Sequence, residues 1–225
     1  MSPIAAHLDA LRRRIRAAQR GEMREVTIVA VSKQRSVDEI RDAIAAGCLD
    51  IGESYVQEAL PKIAALRGEG VRWHYIGRLQ TNKAGAIAAQ FDWVHAIDRE
   101  KAAVALDRAR PAERGPLEVC VQVNISAEAT KGGVAPSGAL PLCREVAALP
   151  RLRLRGLMGM ASPGGDARAQ FALLRSAFDE VRRAGIPLDT LSMGMSDDFE
   201  AAVAEGATMV RIGTAIFGAR EQRAA

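Results

Sequence analysis

Lys33 is the residue in this chain whose type and position most directly suggest chemistry. Only five of the 31 basic residues are lysines, so arginine is the usual residue wherever a cation alone is needed. Lys33 follows the run 27–32 (TIVAVS), which has the apolar pattern of a strand buried on both faces. A partly desolvated amine at this point favours its neutral form, and a neutral amine condenses with carbonyl compounds. The alternative is a lysine that reaches solvent at the end of a strand.

A second group of candidates lies between positions 193 and 218. The pair Gly213-Thr214 offers backbone N–H groups and a hydroxyl at a predicted helix start, which suits an anion. Ser196 offers another hydroxyl from the preceding loop. Alternatively, Ser196 is the N-cap of a helix whose first turn contains the acidic pair 197–198. The residues alone leave both interpretations open.

Arg211 and His74 are polar residues within predicted strands. Arg211 lies between two aliphatic residues, so strand alternation makes it face the opposite way from both. If it points inward, its guanidinium needs an acceptor, either a pyridine-type ring nitrogen of a ligand or a structural carboxylate. A lone strand histidine such as His74 is more often a hydrogen-bonded core residue than a catalyst. With His7 and His95 it does not form a metal-binding pattern.

Eight strand-like runs alternate with helix-like runs and would position these residues. The predicted strands cover residues 27–32, 49–52, 72–77, 93–97, 117–124, 152–160, 188–193 and 209–213. This alternation predicts a parallel sheet, and eight units match a closed (β/α)8 barrel with its site at the C-terminal strand ends. A doubly wound open sheet is the alternative, weakened by the lack of a glycine-rich dinucleotide motif after the first strand. We therefore predict an α/β fold, a single TIM-type (β/α)8 barrel domain over residues 1–225.

The first 22 residues are predicted to add a helix that packs on the barrel. Ser2-Pro3 is a favourable helix start, and the apolar residues 4, 8, 11 and 15 share one helical face. The nearby arginines faintly suggest a transit peptide, but Asp9 and the amphipathic pattern favour the helix.

The composition is that of a soluble globular protein, with 48% hydrophobic and 26% charged residues and no apolar run long enough to span a membrane. The basic residues are spread along the chain and aromatic residues make up only 4%, so a nucleic-acid partner is not expected. The three cysteines have no metal-ligand spacing. They are predicted to be buried thiols, which fits a reducing, cytoplasmic compartment.

Several segments resemble one known family in the right order along the chain. They are 29–33 (VAVSK), 52–58 (GESYVQE), 73–83 (WHYIGRLQTNK), 155–158 (RGLM), 193–202 (MGMSDDFEAA) and 209–220 (MVRIGTAIFGAR). Together they resemble the pyridoxal phosphate homeostasis proteins, whose barrel is related to the N-terminal domain of alanine racemase.

The resemblance implies that the barrel holds pyridoxal 5′-phosphate (PLP) as a Schiff base on Lys33. It places the phosphate near Ser196 and the pair Gly213-Thr214, Arg211 against the pyridine nitrogen, and His74 near the ring. The predicted cofactor-binding residues all lie at or near strands: Lys33, Ser54, His74, Met195, Ser196, Arg211, Gly213 and Thr214. Family members usually have asparagine in place of Ser54, so the contact made by that asparagine is in question.

The implied function is a non-catalytic carrier that buffers or delivers PLP. We expect a cytoplasmic monomer whose partners are PLP and apo PLP-dependent enzymes, with no nucleic-acid or membrane partner. One alternative is a PLP-dependent amino-acid racemase, although racemases of this fold use a tyrosine from a second subunit's added domain. Another is a barrel enzyme that forms a Schiff base between Lys33 and a phosphorylated metabolite.

Overall fold

Eight short strands pair in parallel in chain order, and the eighth closes on the first. The computed structural model describes residues 2–19, 21, 24–126, 128 and 131–219. The strands are β1 Thr27–Val31, β2 Asp50–Glu53, β3 Arg72–Tyr75, β4 Trp93–Ile97, β5 Leu117–Gln122, β6 Leu152–Met158, β7 Thr190–Ser192 and β8 Met209–Ile212. The predicted closed (β/α)8 barrel is therefore confirmed, and the open-sheet alternative is excluded.

Helices follow the strands and cover the outside of the barrel. They are α1 Pro3–Ala18, α2 Val37–Ala45, α3 Val56–Ala65, α4 Ala84–Gln90, α5 Glu100–Ala109, α6 Ala139–Ala147, α7 Ala167–Arg183, α8 Phe199–Ala204 and α9 Thr214–Phe217. Short 3-10 turns lie at residues 81–83, 112–114 and 136–138. The helices of the described segments are too short or too polar to traverse a lipid bilayer.

The predicted N-terminal helix is confirmed as α1. Ser2 caps it by accepting a hydrogen bond from the backbone N–H of Ala5 at 3.4 Å. Its apolar face is buried and packs against α2, α8 and α9. His7 adds a polar contact, with Nδ1 at 2.8 Å from the carbonyl oxygen of Ile216. Helix α1 therefore holds the last strand–helix unit of the barrel in place.

Six of the predicted strands are longer than the observed ones because the chain leaves the sheet before the apolar pattern ends. At β1, the N–H of Ser32 still bonds to the carbonyl of Gly52 at 2.9 Å, but Ser32 then accepts from Arg35 N–H in a turn. Gly159 and Met160 continue the apolar pattern of β6 and yet lie beyond its last strand residue. The strand ends thus become loops that form the mouth of the barrel.

The barrel interior is only partly apolar. Val29, Trp93, Ala96, Cys120, Met158 and Met209 form a small cluster separate from the main core. Beside this cluster lie the fully or almost fully buried polar residues His74, His95, Ser192 and Arg211. Buried polar groups are almost always hydrogen-bonded, so the partners of these four residues are described with the site below. The three cysteines are also buried and free, as predicted.

Candidate functional site

A cavity of about 280 Å³ opens at the C-terminal ends of the strands. Its walls include seven of the eight predicted site residues: Lys33, Ser54, Met195, Ser196, Arg211, Gly213 and Thr214. These come from the ends of strands β1, β2, β7 and β8 or from the loops after them. Convergence at this edge is what a parallel barrel dictates, because all eight strands point the same way.

Lys33 is half-buried at the cavity wall, immediately after β1. The next residue, Gln34, has φ +61°, a left-handed conformation that non-glycine residues adopt infrequently. Such a conformation persists when surrounding contacts hold it. The structure supplies them, because Glu58 accepts a hydrogen bond from the backbone N–H of Gln34.

A buried ion cluster beneath this turn fixes the backbone of Ser32, the residue before Lys33. Lys62, on α3, donates at 2.7 Å to each of three oxygens: the carbonyl of Ser32, Oε1 of Glu53 and Oε1 of Glu58. Ser32 Oγ also donates to Glu53 at 2.5 Å. The backbone groups on both sides of Lys33 are therefore tied to one cluster, which limits how the lysine can move. No signal in the strand pattern pointed to this cluster.

The loop after β7 turns sharply before it reaches the cavity. Gly194 has φ +94°, and a Cβ there would lie 2.7 Å from Cβ of Ala202, so only glycine fits without displacement. The turn presents Met195, which is 39% exposed, and Ser196 to the cavity. The alternative of Ser196 as the N-cap of α8 is wrong, because α8 begins at Phe199 and Ser196 Oγ instead accepts from Ala215 N–H at 3.3 Å.

Asp198 explains why the helix starts later than predicted. Its Oδ1 accepts a hydrogen bond from the backbone N–H of Met195 at 2.6 Å, which closes the loop on itself. Burial raises the pKa of this carboxyl, although the bond from Met195 acts in the opposite direction. The carboxylate is thus engaged within the loop, while the neighbouring Asp197 is exposed at the cavity edge.

Helix α9 begins at Thr214, as predicted from the sequence. The first N–H groups of a helix have no partner within the helix, so Gly213 and Thr214 bring donors to the cavity wall. The side chain of Arg35 lies across the end of α9, donating to the carbonyl of Gly218 and covering the ring of Phe217 at 5.6 Å. This end of the cavity combines hydroxyls, backbone donors and a guanidinium, a set suited to an anion.

Arg211 points inward, as strand alternation predicted, and is only 4% exposed. Its Nη1 donates to the carbonyl and the hydroxyl of Ser192 at 2.8 and 2.6 Å, and Nη2 donates to the carbonyl of Gly159 at 3.0 Å. Burial lowers the pKa of the guanidinium to about 10, so it stays charged at neutral pH. Among the described residues the hydrogen-bond acceptors of Arg211 are therefore Ser192 and Gly159, and neither is a carboxylate.

His74 is the one predicted site residue that the structure places away from the cavity. It is fully buried inside the barrel, stacked on Trp93 with ring centroids 5.5 Å apart. Its ring nitrogens lie 3.0 Å from His95 and 2.9 Å from Asp50. Burial lowers the pKa of His74, with Asp50 acting in the opposite direction, and lowers that of His95 well below its ordinary value. His74 is therefore a hydrogen-bonded core residue that meets the cavity only through other side chains.

A larger cavity, of about 680 Å³, lies at the opposite, N-terminal mouth of the barrel. Most of its charged lining residues form ion pairs: Arg72 with Asp50, Arg114 with Asp92, and Arg155 with both Glu118 and Asp189. Within the described segments, no group of three metal-ligating side chains converges. The smaller cavity around Lys33 is therefore the candidate functional site.

Comparison with known proteins identifies the family to which the chain is similar. Residues 6–221 match the family model of the alanine racemase N-terminal domain. The pyridoxal phosphate homeostasis protein of Pseudomonas aeruginosa is 48% identical over 224 residues, covering 98% of this chain and 97% of that one. The protein of the same name from Escherichia coli K12 is 47% identical over 230 residues and covers 98% of each chain.

Solved structures show the same barrel. PipY of Synechococcus elongatus PCC7942, solved with PLP bound, is 36% identical with a TM-score of 0.83, covering 96% of this chain and 100% of that one. Alanine racemase of Clostridium difficile 630 is only 14% identical with a TM-score of 0.73, covering 96% of this chain and 61% of that one. The second likeness concerns the fold alone.

Proposed function

The chain belongs to the pyridoxal phosphate homeostasis protein family, and we propose that it binds PLP in the Lys33 cavity and buffers or delivers it. The observation that carries this proposal is the meeting of three unlike groups at one cavity. They are the half-buried amine of Lys33, the hydroxyl and N–H donors around Thr214, and the buried guanidinium of Arg211.

The donor set matches the functional groups of PLP one by one. Lys33 suits the aldehyde, which it would hold as a Schiff base, and Ser196, Gly213 and Thr214 suit the phosphate. Arg211 suits the pyridine nitrogen, because it lines the cavity and its Nη atoms are fixed by hydrogen bonds to the carbonyl groups of Ser192 and Gly159. Bound PLP supplies an aldehyde carbon for reversible condensation with amines and a ring that withdraws electrons.

We propose that the protein is a carrier and not an enzyme. A charged guanidinium beside a pyridine nitrogen disfavours protonation of that nitrogen, which weakens the ring as an electron sink. Neither tyrosine is placed as a second acid–base group at the cavity. Tyr55 is 62% exposed, and the hydroxyl of the buried Tyr75 donates to the carbonyl of Arg78 at 3.0 Å.

The setting we propose is the cytoplasm, where a monomer would exchange PLP with apo PLP-dependent enzymes. The burial of all three cysteines as free thiols fits a reducing compartment. Closure of the described strands into a barrel supports the proposal of a monomer, because it leaves no unpaired sheet edge for a second chain to extend.

The phosphate end of the site predicts a graded loss of affinity. Ser196→Ala and Thr214→Ala should each weaken PLP binding by roughly 1–3 kcal/mol, as expected when a hydrogen bond to a charged group is lost. The affinities are measured by equilibrium dialysis of each variant with PLP and with pyridoxal. The wild type should bind pyridoxal much more weakly, and the two substitutions should change that weak binding little. Equal affinity for both aldehydes would show that the phosphate is not held here.

The carrier role is tested by two assays on the PLP-loaded protein. Incubation with L- and D-amino acids in deuterium oxide, followed by NMR, should show no α-hydrogen exchange at the rates typical of enzymes, about 1 s⁻¹ or faster. Mixing with an apo PLP enzyme should restore that enzyme's activity. Rapid exchange with one amino acid would favour the racemase alternative, and failure to restore activity would remove the delivery role.

A further inference from the structure

A continuous line of hydrogen bonds crosses the barrel interior from the N-terminal mouth to the Lys33 cavity. At the mouth, Asp50 receives two bonds from the half-exposed Arg72, at 2.7 and 2.6 Å. Asp50 also contacts His74 Nε2 at 2.9 Å, and His74 Nδ1 lies 3.0 Å from Nε2 of His95. Four described residues, Asp50, His74, His95 and Ser192, form this line, which we call the buried relay.

The relay ends at Arg211. His95 Nδ1 lies 2.8 Å from Ser192 Oγ, and that oxygen lies 2.6 Å from Nη1 of Arg211. The side chains of His74, His95 and Ser192 have no solvent exposure. The relay is therefore reached by water only at its Asp50 end, and it touches the functional site only through Arg211.

The chemistry of the two ends determines the direction of every bond. Burial raises the pKa of Asp50, but the bonds from His74 and Arg72 outweigh it and hold that pKa below its ordinary value. Asp50 is thus a carboxylate that only accepts, so His74 must donate from Nε2. A neutral His74 then accepts at Nδ1 from His95 Nε2–H, and His95 in turn accepts at Nδ1.

This order settles the orientation of the last hydroxyl. Ser192 must direct its proton to His95, which leaves the lone pairs of its oxygen for the guanidinium of Arg211. If the relay ran the other way, the hydroxyl proton would face a cationic N–H group and repel it. Bonds in such a chain polarise one another, so the carboxylate at one end strengthens the acceptor at the other.

We propose that the buried relay positions Arg211, with ionised Asp50 at one mouth of the barrel fixing the guanidinium that faces the cavity at the other. The proposal rests on the proposed function in assigning PLP to that cavity. Asp50, His74, His95 and Ser192 are positioning residues, because none of them lines the cavity. The consequence is that a change at the N-terminal mouth alters how tightly the cofactor's ring is held.

The direction of the relay is tested first in the wild type, without any substitution. The chain has three histidines, so ¹⁵N-labelled side chains can be assigned individually by NMR. His74 and His95 should both carry their proton on Nε2. His7 provides an internal contrast, because its Nδ1 faces a carbonyl oxygen and must carry a proton. A proton on Nδ1 of either buried histidine would overturn the proposal.

Asp50→Asn then tests what sets the direction. An amide can donate as well as accept, so the two buried histidines should lose their single tautomer pattern, and PLP binding should weaken on the order of tenfold. The matched control is Arg153→Gln, which removes an ion pair at the same mouth between Glu118 and an arginine of the same 59% side-chain exposure as Arg72. The control should leave both the tautomers and PLP affinity unchanged. An unchanged tautomer pattern in Asp50→Asn would contradict the proposal.

A double-mutant cycle tests whether the relay acts as one unit. Ser192→Ala should weaken PLP binding in the same direction as Asp50→Asn, and the double variant should be no weaker than Ser192→Ala alone. Losses that multiply would show that the two residues act independently. The absorption spectrum of bound PLP should shift in both single variants, which a purely structural role would not cause.

These outcomes separate the relay from the proposed function. The tautomer pattern is read on the unmodified protein before PLP is added, so it stands even if PLP does not bind. Failure of the wild type to bind PLP would overturn the proposed function alone. Normal PLP binding with the proton of His74 or His95 on Nδ1 would overturn the relay alone. The histidine NMR spectrum of the wild type provides this test even if a variant does not fold.

Discussion

Replacing Lys33 by alanine is expected to remove all covalently held PLP. The purified wild type should be yellow, and the Lys33→Ala variant should lose the corresponding absorption band. The reason is geometric. Among the described residues that line the cavity, Lys33 is the lysine, and the ion cluster around Lys62 holds the backbone next to it. The measurement is a spectrum of dialysed protein normalised to protein concentration.

The control for this variant is Lys101→Ala. Lys101 is an exposed lysine on α5, outside the cavity, and its removal should leave the absorption band intact. The remaining polar groups of the cavity should still retain weak, dialysable PLP in Lys33→Ala. A band of wild-type strength that survives dialysis in Lys33→Ala would contradict the assignment.

Replacing Lys62 by methionine is expected to lower the free energy of unfolding by about 3–5 kcal/mol, as found when one partner of a buried ion pair is removed. All three donors of the Lys62 ammonium group are used, and Glu53 has no solvent exposure. Burial raises the pKa of Glu53 even with bonds from Lys62 and Ser32 present. Without the ammonium group this carboxyl would remain buried without its main partner.

Urea unfolding followed by circular dichroism measures this loss on the PLP-free protein. The double variant Lys62→Met with Glu53→Gln should recover part of the stability, because removing both charges avoids an unpaired one. Lys101→Met, on the surface, should change stability by no more than about 0.5 kcal/mol. A loss below about 1 kcal/mol in Lys62→Met would show that the cluster is not needed. The cluster also holds the backbone beside Lys33, so PLP retention should fall in the single variant.

The barrel and the cavity could be predicted because they follow from periodicity. Regular alternation of apolar runs indicates parallel strands, and parallel strands bring their C-terminal ends to one edge. Lys33, Arg211 and Thr214 therefore had to lie near one another once the fold was known. Strand ends were less predictable, since residues such as Gly159 and Met160 continue the apolar pattern beyond the last residue of β6.

The two buried polar systems could not be predicted in the same way. Lysine and aspartate are ordinarily exposed, and only tertiary partners decide whether they are buried. Two features of the chain are nevertheless consistent with these buried groups. Lys62 lies three residues after Ala59 and shares its buried helix face, and parallel register places Asp50 opposite Arg72. The family resemblance placed His74 near the cofactor ring. In the structure His74 does not line the Lys33 cavity, and it is linked to Arg211 only through His95 and Ser192.

The most direct test of a Schiff base on Lys33 is to find which lysine carries the cofactor. PLP-loaded wild-type protein is reduced with borohydride, which makes a Schiff base permanent, and its peptides are mapped by mass spectrometry. The expected result is a pyridoxyl group on Lys33, two residues after the end of strand β1. A pyridoxyl group found instead on Lys62, Lys83, Lys101 or Lys131 would contradict it.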